Sequence, residues 1–84
     1  MPITDVPPRP EESLLAEIVD IMQRVSPELF SRWLLLERVD GDEGISNVWD
    51  ELDQFLRRNV KIEGHLQRVV TLASLRSYLR SKFL

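Results

Sequence analysis

The sequence predicts an all-α protein, a small four-helix bundle with a short extended connector before the last helix. Apolar residues recur at helical spacing in four separate stretches. Each break between these stretches contains a proline or a glycine, the residues that most often end regular structure. A chain of 84 residues suits one domain. We therefore expect a proline-rich tail at residues 1–10 and a single helical domain at residues 11–84.

The tail holds four of the five prolines in the chain. Because proline fixes φ and has no backbone N–H, this segment is predicted to form neither a helix nor a central strand. Its PPRP run has the composition of a ligand for a proline-reading domain, although a plain lead into the first helix is the simpler interpretation. The tail has neither the basic start nor the apolar core of a secretory signal.

The first helix is predicted from about Pro10 to Val25. Proline at a first helical position costs nothing, and Glu11 and Glu12 suit the positive end of the helix dipole. Seven apolar residues fall on one side, which predicts a surface helix with one buried face. They are Leu14, Leu15, Ile18, Val19, Ile21, Met22 and Val25.

The second helix is predicted to begin at Pro27, with Ser26 as its cap, and to end near Val39. Its inner face carries phenylalanine, tryptophan and leucine. Leu35 projects away from that face, and Glu37 lies within it. A helix that is apolar nearly all round is either central to its bundle or covered by a partner.

The third helix is predicted from about Asn47 to Asn59. Acidic residues fill its first turns and two arginines its end, which matches the helix dipole. Ser46 or Asn47 is expected to cap it, and with Asn47 as the cap, Asp50 stands at the position of a capping-box acid.

Residues 59–64 interrupt the helical pattern. Val60 and Ile62 alternate with charged residues as they do in a strand, but no second stretch offers such a strand a partner. We therefore predict an extended connector whose two apolar side chains reach the core and which turns at Gly64.

The last helix is predicted from His65 to near the C-terminus, with an apolar face that drifts. The apolar residues up to Ala73 centre on one direction, and those from Leu75 onwards centre about 130° away. The helix therefore either bends near residues 71–74 or turns its second half towards something outside the bundle. The predicted core of the domain is Ile18, Met22, Trp33, Trp49, Leu52, Phe55 and Leu72.

The acidic stretch RVDGDEGISNVWDE, residues 38–51, resembles a calcium loop only in part. Counted from Asp40, both Asp42 and Glu51 fall at ligand positions of such a loop. The departures from the pattern fall at Gly44, Ile45 and Val48. Three departures in one loop favour a plain helix junction, so no metal site is predicted.

Little else in the sequence indicates chemistry. There is no cysteine, and His65 is the only histidine, so no zinc ligand set is available. The three glycines do not form a phosphate-binding loop. The acidic pairs lie on predicted helix surfaces, where nothing separates their pKa values as acid–base catalysis requires. We expect no enzymatic activity, no cofactor and no small-molecule substrate.

Charge is unevenly spread, although the net charge is only −3. Residues 1–56 carry 13 acidic and 4 basic side chains, and residues 57–84 carry 1 acidic and 7 basic ones. Such separation bears on partners rather than on fold. Opposed patches on one small body can bind another protein, or pair head to tail between copies of the chain into rings or filaments. The alternative is that the acidic and basic halves neutralise each other within the fold.

We therefore predict a non-enzymatic protein–protein interaction module or small regulator that binds a partner protein or itself. Arginine and aromatic residues beside exposed apolar ones are typical of protein interfaces. The predicted contact residues are Leu35, Arg76, Leu79, Arg80 and Phe83, with acidic counterparts Asp40, Asp42, Glu43 and Glu51. In size, helical content and opposed charge patches the chain resembles adaptor domains of the death-fold kind, without a matching motif.

The alternative is a nucleic-acid-binding regulator that places the basic C-terminal helix on phosphates. The acidic first half of the chain opposes this, and no helix-turn-helix spacing is evident. Membrane binding is not expected, because the longest apolar run is the WLLL of residues 33–36 and aromatics are not clustered beside the cations. A cytoplasmic location is expected.

Overall fold

The computed structural model describes residues 10–39 and 42–84, and within these ranges the chain contains helices and no strand. The helices are α1 (Glu12–Val25), α2 (Pro27–Val39), α3 (Asp42–Ser46), α4 (Trp49–Phe55) and α5 (His65–Lys82), with a π-helical turn at Leu56–Val60 after α4. Because α3 has only five residues, the bundle consists of four main helices. The predicted all-α fold class is confirmed, whereas residues 1–9 of the predicted tail lie outside the described residues.

Ser26 alone separates α1 from α2. Its N–H donates to the carbonyl of Met22 at 2.8 Å, and its carbonyl accepts from the N–H of Phe30 at 3.1 Å. One residue thus closes one helix and opens the next, and α2 begins at Pro27 as predicted. The predicted start of α1 at Pro10 is two residues early, since the helix begins at Glu12.

The predicted third helix is interrupted at both ends. It begins at Trp49, two residues later than predicted, and the short helix α3 precedes it. The hydroxyl of Ser46 donates to the carbonyl of Glu43 at 2.8 Å instead of capping α4. Val48 stands at the N-cap of α4, with no side-chain cap. The predicted capping box of Asp50 is therefore wrong. The acids at this helix start still face the positive end of its dipole.

The connector before α5 begins with the π-helical turn. Lys61 has φ of 60°, in the left-handed region, and both its N–H and that of Ile62 donate to the carbonyl of Leu56. Val60 and Ile62 are partly buried against the core, as predicted. Residues 61–64 have no regular secondary structure, and they connect the π-helical turn to α5.

Helix α5 is central, since it packs against α1, α2 and α4. Its buried stripe is Arg68, Leu72, Leu75 and Leu79, at steps of four, three and four residues. This spacing follows a single face of a helix. The buried face does not drift as predicted: Leu66 and Ala73 of the first half are exposed, and Arg68 shares the buried face with the leucines.

The core lies between these helices. Among the residues that the structure describes, fourteen apolar ones are buried: Leu15, Ile18, Val19, Met22, Phe30, Trp33, Ile45, Val48, Leu52, Phe55, Leu56, Leu72, Leu75 and Leu79. Of the predicted core residues, Trp49 is the exception, because it is only partly buried. Within the described ranges, no helix is both long and apolar enough to cross a membrane.

Candidate functional site

A carboxylate is buried beneath the arginines of α5. The Glu37 side chain has no exposed surface. Its Oε1 accepts from Arg76 Nη2 at 2.8 Å and from Arg80 Nε at 2.9 Å. Its Oε2 accepts from Arg76 Nε at 3.1 Å and from the indole Nε1 of Trp33 at 3.3 Å. Arg76 therefore holds Glu37 with two parallel hydrogen bonds, the strongest arrangement for this pair of groups.

The protonation state of Glu37 follows from these contacts. Burial raises the pKa of its carboxyl, but the hydrogen bonds and positive charges of Arg76 and Arg80 outweigh burial. The result is a pKa below the ordinary value of 4.5, so Glu37 is ionised at neutral pH. Glu37 therefore joins α2 to α5 as a charged group.

The structure separates the residues predicted to form one basic and apolar surface. Arg76 and Arg80 are partly exposed and grip Glu37. Leu79 is fully buried in the core, which corrects its prediction as a contact residue. Leu35 is 58% exposed but lies about 200° around α2 from Glu37, on the opposite side of the helix.

Most of the Phe83 side chain packs against other residues of this chain. Its ring meets that of Phe30 edge to face, with centroids 5.6 Å apart, and lies 6.5 Å from the ring of Tyr78. Edge-to-face pairs at this distance are favourable. Phe83 therefore ties the end of α5 to α2 and keeps only 39% of its surface exposed.

The predicted acidic counterparts are also dispersed. Asp40 lies outside the described residues, and Asp42 is the first residue of α3. Glu43 is exposed on α3. Glu51 is exposed on α4 and forms an ion pair with Arg32 of α2.

A feature that the sequence did not reveal is an apolar depression beside Trp49, of about 430 Å³. Ile45 and Trp49 give it an apolar lining, and Ser46, Asp50 and Arg76 complete it. Ile45 is buried and Trp49 partly exposed, so the indole faces both the core and the depression. The periodicity of α4 favoured a core position for Trp49, but tryptophan is so large that it is rarely fully buried.

The depression, here called the Trp49 pocket, has the carboxylate of Asp50 at its rim and that of Glu43 nearby, while its lining cation, Arg76, is paired with Glu37. Asp50 on the rim is exposed, and Glu43 is one helical turn before Ser46. Neither carboxylate has an ion-pair partner among the described residues. A cation held above the face of Trp49 meets both the ring and the carboxylate of Asp50.

Most basic residues of the C-terminal third are engaged by acids. Arg68 Nε donates to Asp53 at 2.6 Å, while its Nη1 donates to the carbonyls of Ile62 and Glu63. Lys82 pairs with Glu12 at 3.3 Å. With Arg76 and Arg80 on Glu37, four of the seven cations contribute to internal contacts, which leaves α5 little positive charge for phosphate.

No family model, no curated protein and no solved structure matches the chain. Across the part of the chain that the structure describes, no three His, Cys, Asp or Glu residues lie together as a metal site. The candidate site therefore rests on the Trp49 pocket and the charges around it.

Proposed function

We propose that this chain is a non-enzymatic protein-binding module, and that the Trp49 pocket takes a segment of a partner protein with an apolar side chain beside a lysine or arginine. The observation that carries the proposal is the partly exposed indole of Trp49, next to Asp50, at a depression lined by Ile45. Tryptophan in an apolar depression with a charged rim is typical of the residues that dominate protein interfaces.

The chemistry of the rim selects the partner. Asp50 and Glu43 are carboxylates without a described cation partner, so a basic group satisfies them. The same cation stacks on the indole, a contact worth about 0.5–1 kcal/mol at an exposed site. An apolar side chain beside it fills the space above Ile45 and removes apolar surface from water.

The arrangement of Glu37 supports a binding role rather than a catalytic one. Its Oε1 accepts hydrogen bonds from Arg76 and Arg80, and its Oε2 accepts from Arg76 and Trp33. A carboxylate held in this way has no free lone pair directed at a cleft for acid–base work. The nucleic-acid alternative and the cytoplasmic location stay predictions, and no contact among the described residues favours the former.

The test is a selection of random displayed peptides on the immobilised protein. We expect enrichment of peptides with an aromatic or aliphatic residue next to Lys or Arg. A selected peptide should shield Trp49 from acrylamide quenching. Trp33 contributes little to that signal because its exposure is 0%. Trp49→Ala and Asp50→Lys should each weaken binding by about tenfold or more, equivalent to ~1.4 kcal/mol.

Leu35→Ala is the matched control, because Leu35 is exposed and apolar but lies on the outer side of α2. It should leave peptide binding unchanged. Peptides that bind Trp49→Ala as tightly as the wild type, or a selection without any shared pattern, would contradict the proposal.

A further inference from the structure

The exposed face of α4 divides into an acidic and a basic half. Asp50, Gln54, Arg57 and Lys61 follow one another at steps of four, three and four residues, and all four are exposed. Asp50 and Gln54 share one side of α4. Arg57 follows in the π-helical turn that continues the helix, and Lys61 stands at the end of that turn. Arg58, also exposed, lies beside Arg57. We call this row the α4 stripe.

The basic half of the stripe is not needed inside the fold. The carbonyl of Leu56 accepts from the N–H groups of Lys61 and Ile62. The carbonyl of Phe55 accepts from the side chain of Asn59 at 3.4 Å. Cations near the C-terminal end of a helix are favourable because its carbonyls carry partial negative charge. The carbonyls of Leu56 and Phe55, however, already accept hydrogen bonds from other donors.

None of the three cations of the stripe, Arg57, Arg58 and Lys61, has an ion-pair partner within residues 10–39 and 42–84. In this they differ from Arg68, Arg76, Arg80 and Lys82, which all pair with acids of this chain. The exposed acid at the other end of the stripe, Asp50, is likewise without a described partner. The stripe thus carries unmatched charge of both signs, separated by about two helical turns.

We infer that the occupant of the α4 stripe is a second copy of this chain, in a two-fold dimer with the two α4 helices antiparallel. The two-fold axis then lies near Gln54, which meets its own counterpart. Asp50 of each copy faces Arg57 and Arg58 of the other, twice over. Such a self-complementary patch is what a two-fold interface requires.

This arrangement also names a source for the cation that the Trp49 pocket takes, and to that extent it rests on the proposed function. Trp49 and Asp50 line the same depression, so a cation of the second copy that reaches Asp50 lies at the mouth of the Trp49 pocket. The long stem of an arginine covers apolar surface while its head stays on the carboxylate. A phosphate backbone fits the stripe less well, because Asp50 and Glu51 repel it at the acidic end.

The first test is mass by light scattering after size exclusion, over a range of protein concentration and at low and high salt. We expect a monomer of 9.8 kDa to give way to a dimer of twice that mass as concentration rises. High salt should shift the equilibrium back to the monomer, because exposed charges are screened. A mass that grows beyond the dimer would overturn the two-fold arrangement.

The second test reverses the charges of each half. Arg57→Glu with Arg58→Glu, and separately Asp50→Lys, should each raise the dimer dissociation constant about tenfold or more, by placing like charges opposite one another. Mixing the two charge-reversed proteins should restore a dimer, because each then faces the opposite sign. This rescue distinguishes lost pairing from lost folding.

Glu17→Lys and Arg38→Glu are the charge-matched controls, exposed and outside the stripe. Both should leave the dimer intact. A protein that stays monomeric throughout overturns the dimer, and the peptide selection then decides separately whether the Trp49 pocket binds another protein. A dimer that persists in high salt and in both charge-reversed variants would also contradict the dimer through the α4 stripe. It would assign the contact to another surface, such as exposed Leu35 and Val39 of α2.

Discussion

Helix α5 holds two arginine–carboxylate sites that are built in opposite ways. At its start the cation is the buried partner: the Arg68 side chain is 9% exposed and that of Asp53 is 23% exposed. Further along, the acid is the buried partner: Glu37 has no exposed side-chain surface, whereas the Arg80 side chain is 53% exposed. The comparison shows that the stability lost when such a pair is broken depends on which of the two partners is buried.

The physical difference lies in what remains after a substitution. An arginine cannot lose its proton in a protein, so Arg68 must keep partners wherever it is buried. It has three: Asp53 and the carbonyls of Ile62 and Glu63. At the other site the arginines reach water, and they re-solvate when their acid is removed.

The largest effect is expected for Arg68→Leu. The substitution keeps bulk in the buried stripe of α5 but leaves Asp53 and two carbonyls of the connector without their donor. We expect the free energy of unfolding to fall by about 3 kcal/mol, measured by urea denaturation.

Arg38→Leu, at an exposed arginine outside the α4 stripe, is the control for Arg68→Leu and should change stability by less than about 0.5 kcal/mol. Arg68→Lys should fall between the two, since lysine keeps the charge but loses the planar guanidinium with its several donors. Equal effects for Arg38→Leu and Arg68→Leu would show that the connector contacts do not stabilise the fold.

A smaller loss is expected for Glu37→Gln, about 2 kcal/mol. The amide oxygen can still accept from Trp33, and the two arginines turn to water, so less is left unsatisfied than at Arg68. Urea denaturation at neutral pH measures the loss. Glu17→Gln, at an exposed acid of α1, is the control and should have no measurable effect. A loss at Glu37 larger than at Arg68 would reverse the comparison.

The smallest effect is a dependence of stability on pH. Because the pKa of Glu37 is below 4.5 in the folded chain, its ionised form stabilises the fold above about pH 4.5. That contribution is lost as pH falls through the lower folded pKa. The gap in unfolding free energy between wild type and Glu37→Gln should therefore narrow below pH 4.5, in a series of urea titrations. A gap that stays constant would show that Glu37 is not held as a carboxylate.

Local sequence determined the helices whose pattern is unbroken. Pro27 follows the last residues of the apolar face of α1. This was sufficient to predict the start of α2, because proline is favoured in the first turn of a helix. The helical spacing of apolar residues also predicted six core residues that are buried in the structure. The alternation at residues 59–64 predicted that Val60 and Ile62 reach the core. Periodicity determines these positions because each helix buries one face.

Tertiary contacts decided the rest, because they join residues far apart in sequence. Glu37 and Arg76 are 39 residues apart, and no local pattern connects them. Arg68 looks like a surface residue in the sequence, yet Asp53 and the connector carbonyls make its burial possible. Trp49 follows the periodicity of a core residue, but its surroundings in the fold leave one side open. The sequence thus determined which helix faces are apolar and that Glu37 lies within one of them, and packing decided that Arg68 is buried and that Trp49 keeps one side exposed.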